Sequence, residues 1–110
     1  VSWTHDQAVL LAIRIEQIAP QFDCHVALTG GTLYKCGPRK DTDFLFYRVR
    51  QADRINIEGL LKALSELGIE VYQDSGWVLK AEHENGKIDL FFPERPVSEF
   101  PAELEEAYFR

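Results

Sequence analysis

Three aspartates and a pair of glycines are the residues whose types and spacing could do chemistry. Asp41 and Asp43 open an aromatic and β-branched segment, Asp41 to Val49, that reads as a strand. Residues two apart on a strand share a face, so both carboxylates point one way, with Leu45 beyond them. Like charges at that spacing repel unless a cation sits between them, and an oxygen-only ligand set suits Mg²⁺. A solvated strand start accounts for the same pair without chemistry. Asp89 lies within Lys87-Ile88-Asp89-Leu90-Phe91-Phe92, and a charge in so apolar a strand needs a reason, because burying it unpaired is costly. Gly30-Gly31 follows the apolar segment Cys24 to Thr29 and precedes a helical start at Thr32. A helix N-terminus presents free N–H groups, and glycine lets an anion come close. Alone, a double glycine after a strand is usually just a turn.

The elements that must position these residues are legible. Thr4-His5-Asp6-Gln7 has the form of a capping box. Ala8, Leu11, Ala12, Ile15, Ile18 and Ala19 follow at helical spacing, with Pro20 as the stop. Val9, Leu10 and Ile13 widen that apolar surface, so this helix is expected to touch two things. Thr32 to Lys35 reads as a helical turn and Cys36 to Lys40 as a loop. Ile57, Leu60, Leu61, Leu64 and Leu67 mark a second helix, with Gly68 as its C′ residue. Ile69 to Gln73 and Trp77 to Glu84 read as strands. Asn85-Gly86 signals a two-residue hairpin turn into Lys87 to Phe92. That turn sets position 82 opposite 89 and 80 opposite 91. Leu79, Ala81, His83, Ile88, Leu90 and Phe92 then face the core, and Lys80, Glu82, Asp89 and Phe91 face away. Glu82 adds a fourth acid beside Asp89, partly offset by Lys80. Ser98 to Arg110 reads as a last short helix with Pro101 near its first turn. Helices alternating with strands, followed by a meander, predict an α+β (α/β mixed) fold: one mixed sheet of about five strands with helices packed on one face.

The whole chain, 1–110, is expected to form a single domain, with 45% hydrophobic and 27% charged residues. It lacks the run of about 20 apolar residues that a membrane helix needs, so no membrane partner is expected. No secretory signal pattern opens it, and Cys24 and Cys36 have no metal-type spacing with the scattered histidines. Two free thiols of this kind point to a reduced, cytoplasmic setting. The chain starts at Val1 and contains no methionine, which leaves the completeness of both termini open. The net charge of −6 disfavours a long nucleic-acid track. Within the acidic whole, Lys35, Arg39, Lys40, Arg48, Arg50 and Arg54 form a basic island against Asp41, Asp43 and Asp53. Such an island suits a small anionic ligand, although a solvated surface explains it as well. No aromatic platform interleaves the island, as single-strand binders require. The P-loop, Gly-x-Ser-x-Gly and His-Glu-x-x-His patterns are all absent.

Taken jointly, Ala27-Leu28-Thr29-Gly30-Gly31, Lys40-Asp41-Thr42-Asp43-Phe44-Leu45 and Lys87-Ile88-Asp89-Leu90-Phe91 resemble the signature of the nucleotidyltransferase superfamily. This is the superfamily of DNA polymerase beta and of the minimal nucleotidyltransferases, and the resemblance spans Cys24 to Phe92. It implies that Asp41, Asp43 and Asp89 are the catalytic, metal-holding carboxylates, with Mg²⁺ or Mn²⁺ as cofactor. It implies that Gly30, Gly31 and Thr32 hold the β and γ phosphates of an NTP, with Lys35, Arg39 and Lys40 as neutralising cations. Many minimal members carry Ser after the first glycine; here Thr32 or the Gly31 N–H must take its place. The implied reaction moves a nucleoside monophosphate from an NTP such as ATP to a hydroxyl on a protein or small molecule. The alternative is a nucleotide-binding regulatory or antitoxin-like module with little turnover, whose partner would be a protein or toxin. The first helix and the aromatics Phe100, Tyr108 and Phe109 could serve such a partner, and homo-oligomerisation stays open.

Overall fold

Thr4 and Gln7 close the expected capping box: the Gln7 N–H donates to Thr4 Oγ1 at 3.2 Å and the Thr4 N–H to Gln7 Oε1 at 3.0 Å. Behind it runs helix α1, His5–Ile18, in a computed structural model that describes residues 2–30 and 37–104. Its buried stripe is Ala8, Leu11 and Ile15. Leu10 and Ile13, expected to find a second contact, are 62% and 51% exposed. Strand β1, Cys24–Thr29, follows a 3₁₀ turn that contains Pro20. Strand β2 is Asp41–Arg48. Helix α2, Ile57–Glu66, is capped by Asn56, whose Oδ1 accepts from the Gly59 N–H. Such a cap is worth about 1 kcal/mol. Gly68, at φ +85°, closes α2 as its composition predicts. Then come β3, Glu70–Asp74, β4, Val78–His83, and β5, Gly86–Phe91. Among the described residues no helix is long and apolar enough to cross a membrane.

The strands form one mixed sheet in the order β1-β2-β5-β4-β3. β2 and β5 run parallel, and the other neighbours are antiparallel. Period-two alternation sends Phe44, Phe46, Leu79, Ala81, Ile88 and Leu90 to one face, where they join the buried stripes of α1 and α2. Phe92 stacks on Phe46 there, at 4.9 Å between ring centroids. Glu16 of α1 reaches the outer edge of β1: its carboxylate accepts from the Val26 N–H at 2.9 Å and meets His25 Nδ1 at 2.7 Å.

Two expectations need correction. The β4–β5 hairpin turns at Glu84-Asn85, not Asn85-Gly86, because His83 pairs with Gly86. Gly86 is needed elsewhere: a Cβ there would lie 2.9 Å from Lys40 O and 3.0 Å from the Trp3 indole. Trp3 is fully buried, donates from Nε1 to Lys87 O at 2.9 Å and bridges to Arg39 through two backbone hydrogen bonds. The glycine thus lets β5 approach this N-terminal tryptophan, while the Asn85 N–H closes the turn on His83 Nδ1. The register moves by two residues, so every side chain keeps its face but changes its neighbour. The closing helix from Ser98 is also interrupted. A 3₁₀ turn, Val97–Glu99, gives way to extended backbone at Phe100, whose ring is buried and packs edge-on against Trp77 at 5.0 Å. Residues 102–104 are helical, and Tyr108 and Phe109 lie outside the described residues.

Candidate active site

With α1 and α2 on one face, the other face of the sheet is a surface of short rows read across the strands. One row is Thr29, Asp43, Asp89 and Lys80, each paired with the next. Beside it, Asp41 pairs with Lys87 and Lys87 with Glu82. On the opposite side, Leu45 pairs with Phe91 and Phe91 with Val78. The open face therefore changes from charged to apolar over one two-residue step, about 7 Å along the strands.

Asp43 and Asp89 are cross-strand neighbours on the parallel pair, and Asp41 sits two residues upstream on the same face. The Asp43 carboxyl is held above its ordinary range, first by burial and then by the negative charges of Asp89 and Asp41, with Lys80 opposing. Asp89 is relieved differently: Lys80 Nζ lies 3.1 Å from its Oδ1, and this bond raises the lysine's own pKa. Gly30, at φ +75°, lies against Asp43 so closely that a Cβ would fall 2.0 Å from Oδ2. Only a residue without a side chain leaves that carboxylate where it is.

Asp41, Asp43 and Asp89 thus share one face of the sheet, with Gly30 beside Asp43. Gly31, Thr32 and Lys35, and the helical turn read at Thr32, lie outside the described residues, as does Cys36. Cys24 is a free, buried thiol pushed up to about 12, mainly by desolvation. Arg39 and Lys40 hold the approach to β2 through their backbones: Arg39 bridges Trp3, and Lys40 O accepts from the Lys87 N–H at 3.2 Å. Lys40 borders a separate hollow with Glu82, His83 and Glu84. The described cation nearest the acids is Lys80, and Glu82 pairs with Lys87 instead of adding a fourth acid beside Asp89. Lys80 was expected on this face, and the corrected hairpin register is what sets it directly opposite Asp89.

Sequence reasoning also missed the apolar side. A cleft of about 370 Å³ runs from Thr29, Gly30 and Asp43 to Leu45, Phe91, Trp77 and Pro93. Trp77 stands just before β4 with 41% of its surface exposed, and its Nε1 donates to Arg95 O at 3.2 Å. A tryptophan directly after a turn glycine was the available signal.

Carboxylate oxygens on one face are the donor type that a hard divalent cation takes. Among the described residues no three His, Cys, Asp or Glu side chains stand grouped as a metal site, and Asp89 is held by Lys80.

No family model and no curated protein matches the chain. Among solved structures it is similar to Cid1, which has RNA terminal uridylyl transferase activity, with a TM-score of 0.54 and 16% identity over 81% of this chain. The chain spans 28% of the length of Cid1. The likeness is one of fold: the five-stranded mixed sheet with its helices is of the nucleotidyltransferase type.

Proposed function

We propose that a nucleotidyltransferase-type sheet carrying three aspartates on the face opposite α1 and α2 transfers a nucleoside monophosphate from an NTP to a hydroxyl acceptor. The observation that carries this reading is the pairing of Asp43 with Asp89 across β2 and β5, with Gly30 pressed against the Asp43 carboxylate. Asp41 and Asp43 would hold Mg²⁺ or Mn²⁺, and Asp89 would join them. Such an ion, when bound, neutralises the phosphates and stabilises charge on the attacking and leaving oxygens. Gly30, Gly31 and Thr32 would receive the β and γ phosphates, with Lys35, Arg39 and Lys40 as neutralising cations. Asp89, freed from Lys80, would accept the proton of the acceptor hydroxyl. Its oxygen would then attack the α-phosphorus in line, and pyrophosphate would leave. The acceptor is a protein or a small molecule, since a chain of net charge −6 repels a polyanion.

The contact between Lys80 and Asp89, at 3.1 Å, favours a second reading. With Asp89 neutralised in this way the domain would bind nucleotide and turn over little, as an antitoxin-like or regulatory module. Labelled ATP, CTP, GTP and UTP incubated with Mg²⁺ and either tRNA or lysate separate the two. Label on protein or small molecules supports transfer. Mg²⁺-dependent ATP binding without label supports the module, and ATP binding that is unchanged in EDTA and in Asp43→Asn overturns both.

A further inference from the structure

We propose that the cleft beside Asp43 is the base subsite and that it grips the nucleobase by stacking. This rests on the transferase or nucleotide-binding reading of the same face. The cleft has two unlike ends. At one, Gly30 and Asp43 belong to the phosphate and metal region; at the other, Trp77, Phe91, Leu45 and Pro93 supply an apolar wall. The acid row and the Leu45–Phe91 row are separated by two residues of strand, about 7 Å. A ribose bridges such a gap, so a nucleotide whose phosphates sit by Gly30 and Asp43 places its base against Phe91 and Trp77.

Trp77 is built as a fixed surface. Its Nε1–H is bound to Arg95 O, and its ring meets Phe100 edge-on at an interplanar angle of 82°. Arg95 fixes that support in turn, donating to Asp74 Oδ1 at 2.7 Å, Gly76 O at 2.9 Å and Glu99 O at 2.8 Å. An exposed indole held on this scaffold gives up little freedom when a flat ring covers it, and that preorganisation favours stacking. Apart from Asp43, the polar side chain on the cleft lining, among the described residues, is Thr29. A flat wall of this kind holds a ring in proportion to its area, so purines bind ahead of pyrimidines.

Trp77 fluorescence tests this directly, with Trp77→Phe giving the background from buried Trp3. Adenosine and guanosine are expected to quench Trp77 with or without Mg²⁺, and cytidine and uridine to quench it more weakly. In calorimetry with Mg²⁺, Trp77→Ala is expected to weaken ATP about tenfold, the usual effect of deleting a stacking partner, and to leave inorganic tripolyphosphate unchanged. Phe91→Leu supplies the same comparison should Trp77→Ala fail to fold. The proposal is overturned by nucleosides that do not quench while an apolar dye does. Equal losses for ATP and tripolyphosphate, or cytidine and uridine that quench more strongly than the purines, overturn it too. Tripolyphosphate that fails to bind with Mg²⁺, while nucleosides still quench, would instead reject the proposed function and leave the base subsite standing.

Discussion

Replacing Gly30 by alanine tests whether the approach of β1's end to Asp43 is as tight as described, and Gly37 provides the control. Both glycines have positive φ, +75° and +94°, but a Cβ on Gly37 meets nothing within 4 Å among the described residues while one on Gly30 falls 2.0 Å from Asp43 Oδ2. The backbone cost of alanine in the left-handed region is about 1–2 kcal/mol, and both variants carry it. Gly30→Ala must also displace a half-buried carboxylate, an overpacking cost of about 1–3 kcal/mol. For a domain of this size the second cost separates the two melting temperatures by roughly 5–15 °C. Urea unfolding of Gly30→Ala, Asp43→Ala and the double variant closes a cycle. Truncating Asp43 removes the two clashing atoms nearest the new methyl, so Gly30→Ala should cost less in that background. Equal losses at Gly30 and Gly37, or additive effects at Gly30 and Asp43, would show that the contact is not as close as argued.

Asp43→Asn follows from the raised carboxyl pKa. The folded protein holds this proton more tightly than the unfolded chain, so the group's contribution to stability is full below the ordinary carboxylate range and is lost as pH rises through the raised value. The variant should therefore unfold at a higher urea concentration than wild type at neutral pH, with the gain vanishing in acid, and it should lose Mg²⁺-dependent ATP binding. Lys80→Met removes the cation 3.1 Å from Asp89. Calorimetry should show Mg²⁺ binding several-fold tighter at low salt, together with a lower metal-free melting temperature. Gly86→Ala, whose methyl would press on Lys40 O and Trp3, should cost about 1–3 kcal/mol in urea unfolding.

The alternation of Asp41 to Arg48 and the apolar stripe of α2 carried the fold, because each follows a period that water imposes on a one-sided element. The shared face of Asp41, Asp43 and Asp89 was legible for the same reason. The neighbours of Asp89 were not. Asn-Gly is a strong turn signal, yet Gly86 answers to Trp3, a contact 83 positions away in the chain that no local pattern encodes. Trp3 itself reads as a stray aromatic before a capping box. The wall of Trp77, Phe91 and Pro93 is assembled from two strand ends and a loop, so each member looks ordinary in its own segment.

The one-sided sheet makes the site a guard of its own architecture. On β2 and β5 the odd-numbered positions 41, 43, 45, 87, 89 and 91 face the open side, and the even-numbered 42, 44, 46, 88 and 90 face the helices. A single inserted or deleted residue in either strand would exchange the two sets. It would drive aspartate into the layer now filled by Phe44, Phe46 and Leu90 while turning those rings out to water, and a charge buried there unpaired is among the costliest errors a fold can make. The carboxylates thus act as keys to strand alignment. Serine or asparagine could stand at these positions and keep the sheet aligned, though hardly valine, because apolar residues at the odd positions would make the slipped alignment competitive with the native one.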